Sequence, residues 1–518
     1  MQENKAKNIA SFCAKILACF AVASFVTVLF ESVSLYSYNT QGFDQSCFYT
    51  IGRGILNGKM PYVDYYDNKG PLTYLFFAFI ALFDNYKISV FVAQLIINFI
   101  STIILGAFLK EIDAKRGRLA CIILFFVYYV FIAREPGLYT EDIVMPLILL
   151  AYLFTYKLMM NYEKQEKLNL KHSYVISIAF WLVFLIRINN AIIIAGLLFS
   201  IGIMLLSKRR FKEFFSLILS FVVIGLLLCL PVALWLMSKN ALYECLYQSF
   251  LINFSYSDTR DSVSKTELLF GFNSTFCIIF WGIIIFGLMG TALYFSKSKE
   301  KAEKWFSFAI LVAFICSIVA ISTIVFPYFH YLTATVAASF VPLMMYLSKL
   351  LHEDTKVNKY FSSILTVIMI VGLVLMLLKS SSDNIENNRA DVLFTNPFEI
   401  SDSVEDEMFY DMRALIPKED RDSVFAIDAN PKFYAVTKIQ PSKRIFVCRD
   451  VFTYVNEDLQ NEYYSYFETD EPKWLVVGFE IEKIEDSELV KILQEKYELI
   501  YQSKDINKNY YYSLYRCR

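Results

Sequence analysis

Over the first 380 residues, apolar positions fall into long blocks separated by short charged stretches; the last 140 or so have no such block. The blocks cover residues 9–30, 88–109, 119–133, 143–160, 173–188, 190–207, 213–238, 273–296, 305–326, 331–350 and 360–379. About 20 apolar residues in a helix cross the hydrocarbon core. The pattern therefore predicts an α-helical polytopic membrane bundle of about eleven transmembrane helices. Residues 71–84 are too short to cross and are expected to lie in the outer interface. Blocks 173–188 and 190–207 are short and meet near Asn189, as two helices turning inside the protein would.

From Ser380 the pattern changes. Helices are predicted over 404–416 and 487–498. Short apolar runs at 423–428, 444–447, 473–478, 499–503 and 510–516 read as strands. The expected division is a membrane domain, 1–380, with its first outer loop at 32–86, and a small extracytoplasmic α/β domain, 381–518.

Composition agrees: 56% of residues are hydrophobic, in blocks rather than dispersed. A net charge of −1 offers nothing for nucleic acid. Ten cysteines lie without CxxC or Cys/His clustering, so neither a zinc site nor a disulfide framework is indicated. Cys448 and Cys517 could pair. The first block is long and others follow it, so it reads as a retained helix rather than a cleaved leader. With the N-terminus inside, the cytoplasmic stretches hold 21 Lys and Arg and the outer stretches 8. That bias sets the orientation at a cytoplasmic membrane and, for eleven spans, places the C-terminus outside. No phosphate loop, dinucleotide fingerprint or nucleophile elbow occurs.

The candidate chemistry gathers on one side. Gly42–Pro71 (GFDQSCFYTIGRGILNGKMPYVDYYDNKGP) is a long polar stretch directly after the first block. Asp44 opens it; a carboxylate at the membrane mouth must be solvated, paired or metal-bound. Residues 45–57 can form an amphipathic helix with Tyr49 and Arg53 sharing a face beside the membrane, and Gly58 ending it. Lys69 precedes Pro71 at the next helix start, where a cation needs an anion: Asp67, or a substrate phosphate. Asp64 lies in the same turn. In the second outer loop, Glu141 and Asp142 precede a span, either as dipole-matched acids or as working groups. Arg187, in FLIRINNA, needs a partner or a route to the surface. His330 and Tyr331 stand at an outer helix end, and Tyr256 and Asp258 on a long outer loop. Few ionisable residues sit in the middle of a span, which favours chemistry at the outer interface over transport.

These motifs carry a family resemblance. Asp44, the helix 49–56, Gly58-Lys-Met-Pro61-Tyr62-Val-Asp64 and Asp67-Asn-Lys69-Gly70-Pro71-Leu72 resemble the first loop of GT-C class membrane glycosyltransferases. The group is glycosyltransferase family 39 and its relatives, including protein mannosyltransferases and lipid A aminoarabinose transferases. Glu141 or Asp142, Arg187 in F-L-x-R-x-N, and His330-Tyr331 match its later motifs. The resemblance implies a transferase moving a sugar from a polyprenyl-phosphate donor to a lipid, glycan or protein acceptor. Asp44 would be the general base and Glu141 its catalytic partner. Lys69, Arg53 and Arg187 would bind the donor phosphate; Tyr49, Asp64, Asp67, Asp142, His330 and Tyr331 would bind substrate. The resemblance names no certain cofactor; a divalent metal held by Asp44 and Glu141 is the candidate it allows. The chain departs from the pattern at Gln45, where a second acid is usual. It departs again at Asn68, where the aminoarabinose transferases carry a glutamate. The competing classes are a lipid-linked sugar flippase or transporter, and a glycan polymerase or ligase.

Overall fold

The computed structural model describes residues 2–36, 42–112, 118–133, 137–165, 168–252, 275–322, 328–352, 404–447, 456–478, 487–505 and 510–518. The expected span at 360–379, the loop residues Tyr256 and Asp258, and Cys448 lie outside them. Within them the chain is mostly helical, with one four-stranded sheet. Two compact units form: Met1–Tyr36, Phe91–Leu234 and Arg260–Asp391 make the first; Ser37–Val90, Trp235–Thr259 and Val392–Arg518 make the second.

The helices are α1 (Gln2–Phe30), α2 (Phe43–Leu56), α3 (Pro71–Ala81), α4 (Tyr86–Glu111), α5 (Arg118–Ala133), α6 (Thr140–Gln165), α7 (Leu170–Ile186), α8 (Ile188–Ser207) and α9 (Phe211–Met237). They continue as α10 (Leu242–Leu246), which runs into a π-helical turn at Tyr247–Leu251, then α11 (Thr275–Lys297), α12 (Lys301–Ser322), α13 (Phe329–Leu332) and α14 (Ala334–His352). Among the described residues, eight segments are long and apolar enough to cross a membrane, and α3, α5 and α7 are shorter apolar helices. Ten of the eleven expected blocks thus coincide with a described helix. On α9, Leu219, Leu226, Leu227, Leu230 and Leu234 are exposed, as side chains facing lipid would be.

In the first unit α8 packs closely on α12: a Cβ at Gly196 would stand 3.0 Å from the Ala313 Cα. The junction expected near Asn189 falls at Arg187. Its backbone is extended (φ −154°, ψ 108°), so α7 ends and α8 begins on either side of it.

In the second unit α2 follows its sequence signals. Gly42 is the extended N-cap, Asp44 lies in the first turn and Arg53 in the last, as the helix dipole prefers. Lys59 N–H reaches Gly54 O at 2.9 Å and Gly58 N–H reaches Ile55 O at 3.0 Å. That is a Schellman ending, with Gly58 at φ +84° supplying the left-handed residue. Gly52 lets α2 touch the backbone of α3, where a Cβ would lie 2.5 Å from Ala78 N. Phe48 packs edge-on against Phe77.

The C-terminal segment of this unit adds α15 (Val404–Leu415), α16 (Lys432–Thr437), α17 (Glu457–Ser465) and α18 (Ser487–Lys496) around β1 (Val424–Ile427), β2 (Trp474–Val477), β3 (Tyr497–Asp505) and β4 (Tyr510–Cys517). The strand order is β1-β2-β4-β3, with only the first pair parallel. Residues 444–447, expected as a strand, are not one. The Arg444 carbonyl accepts from Tyr66 N–H at 2.9 Å, so this stretch bonds to the first loop instead of the sheet. Cys517 is a free thiol.

Candidate active site

The polar stretch 42–71 folds into a tight scaffold within the second unit. Tyr62 is buried at φ +72°, and its hydroxyl donates to Lys69 O at 2.8 Å. Asp64 closes the turn: one oxygen accepts from Met60 N–H at 2.6 Å and the other pairs with Lys59 at 3.4 Å. Asp67 is 6% exposed and accepts from Asn68 N–H at 2.8 Å and Tyr74 hydroxyl at 2.9 Å. Burial pushes its carboxyl above the usual range, against the pull of the Lys69 charge and those two hydrogen bonds. Gln248, on the π-helical turn, accepts from Asp67 N–H at 3.3 Å and donates to Tyr62 O at 2.8 Å.

Two expected site residues take other positions. Tyr49, expected to share a face with Arg53 beside the membrane, is 1% exposed and its ring packs on Tyr86 with centres 4.6 Å apart. Arg53 was expected to meet a phosphate, but its guanidinium donates to Lys438 O at 3.0 Å and Tyr434 O at 3.5 Å, at the end of α16. Helix C-terminal carbonyls are natural partners for a cation. The helix is therefore packed on most sides. Lys69 Nζ donates to Asn68 Oδ1 at 2.7 Å and lies 5.6 Å from the Phe48 ring centre. Asp44 is half-buried in the first turn of α2, and among the described residues no hydrogen bond or ion pair engages it.

The first unit assembles four of the expected residues from distant parts of the chain. Glu141, 1% exposed at the start of α6, pairs with Arg187 at 2.9 Å. Thr140 bridges them: its hydroxyl donates to Glu141 Oε2 at 2.9 Å and accepts from Arg187 at 2.8 Å. The guanidinium lies 4.8 Å from the Tyr331 ring centre. Tyr331 meets His330 edge-on, and His330 stacks on Tyr139 with centres 4.4 Å apart and planes 2° from parallel. Stacked and hydrogen-bonded this way, the arginine is fixed as a planar cation among aromatic faces.

Asp142 has a different place. At the third position of α6 it accepts from the N-cap Tyr139 N–H at 3.0 Å, from Gly137 N–H at 3.2 Å and from Tyr129 hydroxyl at 2.6 Å. That is a capping-box role, which satisfies orphan helix donors. Tyr139 and Thr140 were not singled out from the sequence; the signal available was their adjacency to Glu141 at a helix start. Among the described residues no group of three or more His, Cys, Asp or Glu side chains could hold an ion. Both Glu141 oxygens are engaged, by Arg187 and Thr140.

Residues 68–235 match the family described as dolichyl-phosphate-mannose-protein mannosyltransferase. The fold resembles the crystal structure of ArnT from Cupriavidus metallidurans bound to undecaprenyl phosphate. The identity is 10%, the likeness covers 98% of each chain, and the TM-score is 0.57. No curated protein matches the sequence. The likeness establishes the fold class, and both findings agree with the GT-C resemblance carried by the first outer loop.

Proposed function

We infer that this chain is a multi-pass membrane glycosyltransferase, moving a sugar from a polyprenyl-phosphate-linked donor to an acceptor at the outer face of the cytoplasmic membrane. The observation that carries the reading is the meeting of Glu141, Arg187, His330 and Tyr331, on a fold shared with a protein crystallised with undecaprenyl phosphate. A lipid donor accounts for a polytopic bundle without a nucleotide-binding motif.

The reaction follows from the groups present. The acceptor hydroxyl oxygen attacks the anomeric carbon, and the bond from that carbon to the phosphate oxygen breaks. The polyprenyl phosphate leaves with the electron pair. Asp44 takes the hydroxyl proton as general base. Arg187, held in place by Glu141 and Thr140, and Lys69 stabilise the charge growing on the phosphate; donors fixed before the reaction need no reorganisation during it. A single displacement inverts the anomeric centre. The aromatic cluster of Tyr139, His330 and Tyr331 suits the apolar face of a sugar. The Lys/Arg bias supports a cytoplasmic N-terminus and an extracytoplasmic C-terminal segment.

The test uses the purified chain in detergent with a polyprenyl-phosphate monosaccharide and a panel of lipid, glycan and protein acceptors. Release of polyprenyl phosphate coupled to a glycosylated acceptor is the expected result. Movement of the intact donor across a proteoliposome without transfer would mark a flippase instead.

A further inference from the structure

Directly after α1, Glu31 is 1% exposed. Its Oε1 accepts from Gln94 Nε2 at 3.1 Å and from Asn98 Nδ2 at 2.8 Å. Asn98 Nδ2 also reaches Thr27 Oγ1 at 2.9 Å. Among the described residues no ion pair involves Glu31 and no hydrogen bond reaches its Oε2. A carboxyl buried at a membrane edge without a cation is costly, and points to use.

The use is visible one residue further on. With its amide nitrogen held by Glu31, Gln94 presents its Oε1 to Leu138 N–H at 2.8 Å. Leu138 is buried in a left-handed conformation, φ +57°, which a leucine adopts only when its surroundings impose it. The N–H groups on either side, of Gly137 and Tyr139, go to Asp142 Oδ2. Three consecutive backbone donors are thus fixed by side chains, and the middle one depends on Glu31. The turn leads straight into Tyr139, which stacks on His330, and Glu141, which holds Arg187.

We propose that Glu31 is a positioning residue for the transfer reaction inferred above. Through Gln94 it sets the 137–139 turn, and with it the placing of Tyr139 on His330 and of Glu141 on Arg187. The role requires an oxygen accepting two amide N–H bonds and does not require charge. An amide oxygen can replace the carboxyl oxygen; an alkyl group cannot.

Glu31→Gln, Glu31→Leu, Gln94→Leu and the double leucine variant are compared by hydrogen–deuterium exchange and by steady-state transfer. In Glu31→Leu, amides 137–141 exchange at least about tenfold faster while distant peptides keep their rates. Its kcat drops roughly 10- to 100-fold with KM near wild type, the scale of a small misplacement. Glu31→Gln restores both readouts, and the double variant is no worse than either single one. Native exchange in Glu31→Leu, or unchanged kcat despite faster exchange, overturns the proposal. So does a Glu31→Gln variant as impaired as Glu31→Leu, because the carboxyl itself would then be needed. If Glu31→Leu does not fold, Gln94→Leu cuts the same chain of bonds one link later. A wild-type protein that transfers no sugar defeats the proposed function, while the exchange data still decide whether Glu31 sets the turn.

Discussion

In the first outer segment, Asp64, Asp67 and Arg53 hold their own scaffold: they bond to Met60 N–H, to Asn68 N–H and Tyr74, and to the carbonyls of Tyr434 and Lys438. In the Arg187 cluster, Glu141 and Thr140 hold another side chain, a guanidinium that lies over an aromatic ring. The first region is continuous in sequence and dense in charge, yet most of its polar groups, Lys69 with Asn68 among them, bond within the turn, and of its expected working groups Asp44 is the one whose side chain no hydrogen bond or ion pair engages among the described residues. The second is sparse in sequence, one or two polar residues per helix, and becomes dense only when α6, the α7–α8 junction and α13 meet. Charge density along a chain marks where polar groups cluster. It does not say which of them are left to meet a ligand.

The sharpest way to break that contrast is Asp44→Asn. The variant keeps the shape and removes the proton acceptor, so transfer should fall by about 10²–10⁴-fold with donor binding within a few-fold. Turnover and donor binding measured on one sample check this. An active Asn variant would leave the first region a scaffold throughout and move the base to Glu141.

Arg187→Ala should come next. Removing it leaves Glu141 buried without its cation, and breaking a buried pair costs about 3–5 kcal/mol. Thermal unfolding in detergent should show that loss, together with weakened binding of polyprenyl phosphate. Arg187→Ala combined with Glu141→Gln should recover much of the stability and none of the transfer, separating scaffold from chemistry.

Lys69→Ala should weaken donor binding by roughly 1.5–3 kcal/mol, the worth of a charge-assisted contact, with little change in melting temperature. Titration with polyprenyl phosphate gives the number. Arg53→Ala is expected to have the smallest effect. It removes hydrogen bonds to carbonyls at the end of α16, worth about 1 kcal/mol, and should leave donor affinity unchanged. A loss of affinity equal to that of Lys69→Ala would return Arg53 to the phosphate and blur the distinction between the two regions.

Much of the fold was legible because it rests on local rules. Apolar block length located ten described helices, and Gly58 marked the end of α2 because a Schellman ending needs a left-handed residue. The strand expected at 444–447 was misread because apolar runs of four residues suit a strand or a buried connection equally. There the competing partner, Tyr66 N–H, lies hundreds of residues away in sequence. Tyr49 shows a related limit of spacing alone. A four-residue spacing puts it on Arg53's face of α2, but cannot say that Tyr86 covers that face.

The sequence alone determined the membrane class, the helix series, the α/β character of the C-terminal segment and the identities of Asp44, Glu141, Lys69 and Arg187 as the groups to examine. Each of these depends on residue type and spacing within a short window. Tertiary structure decided how those groups are used. It assigned Asp142 to a helix cap and Glu141 to Arg187, although the two acids are neighbours in sequence. It also gave Glu31 a role through Gln94 that no window around residue 31 contains. The physical reason is that a buried polar atom must find its partner in space, and for side chains on separate helices that partner is chosen by packing.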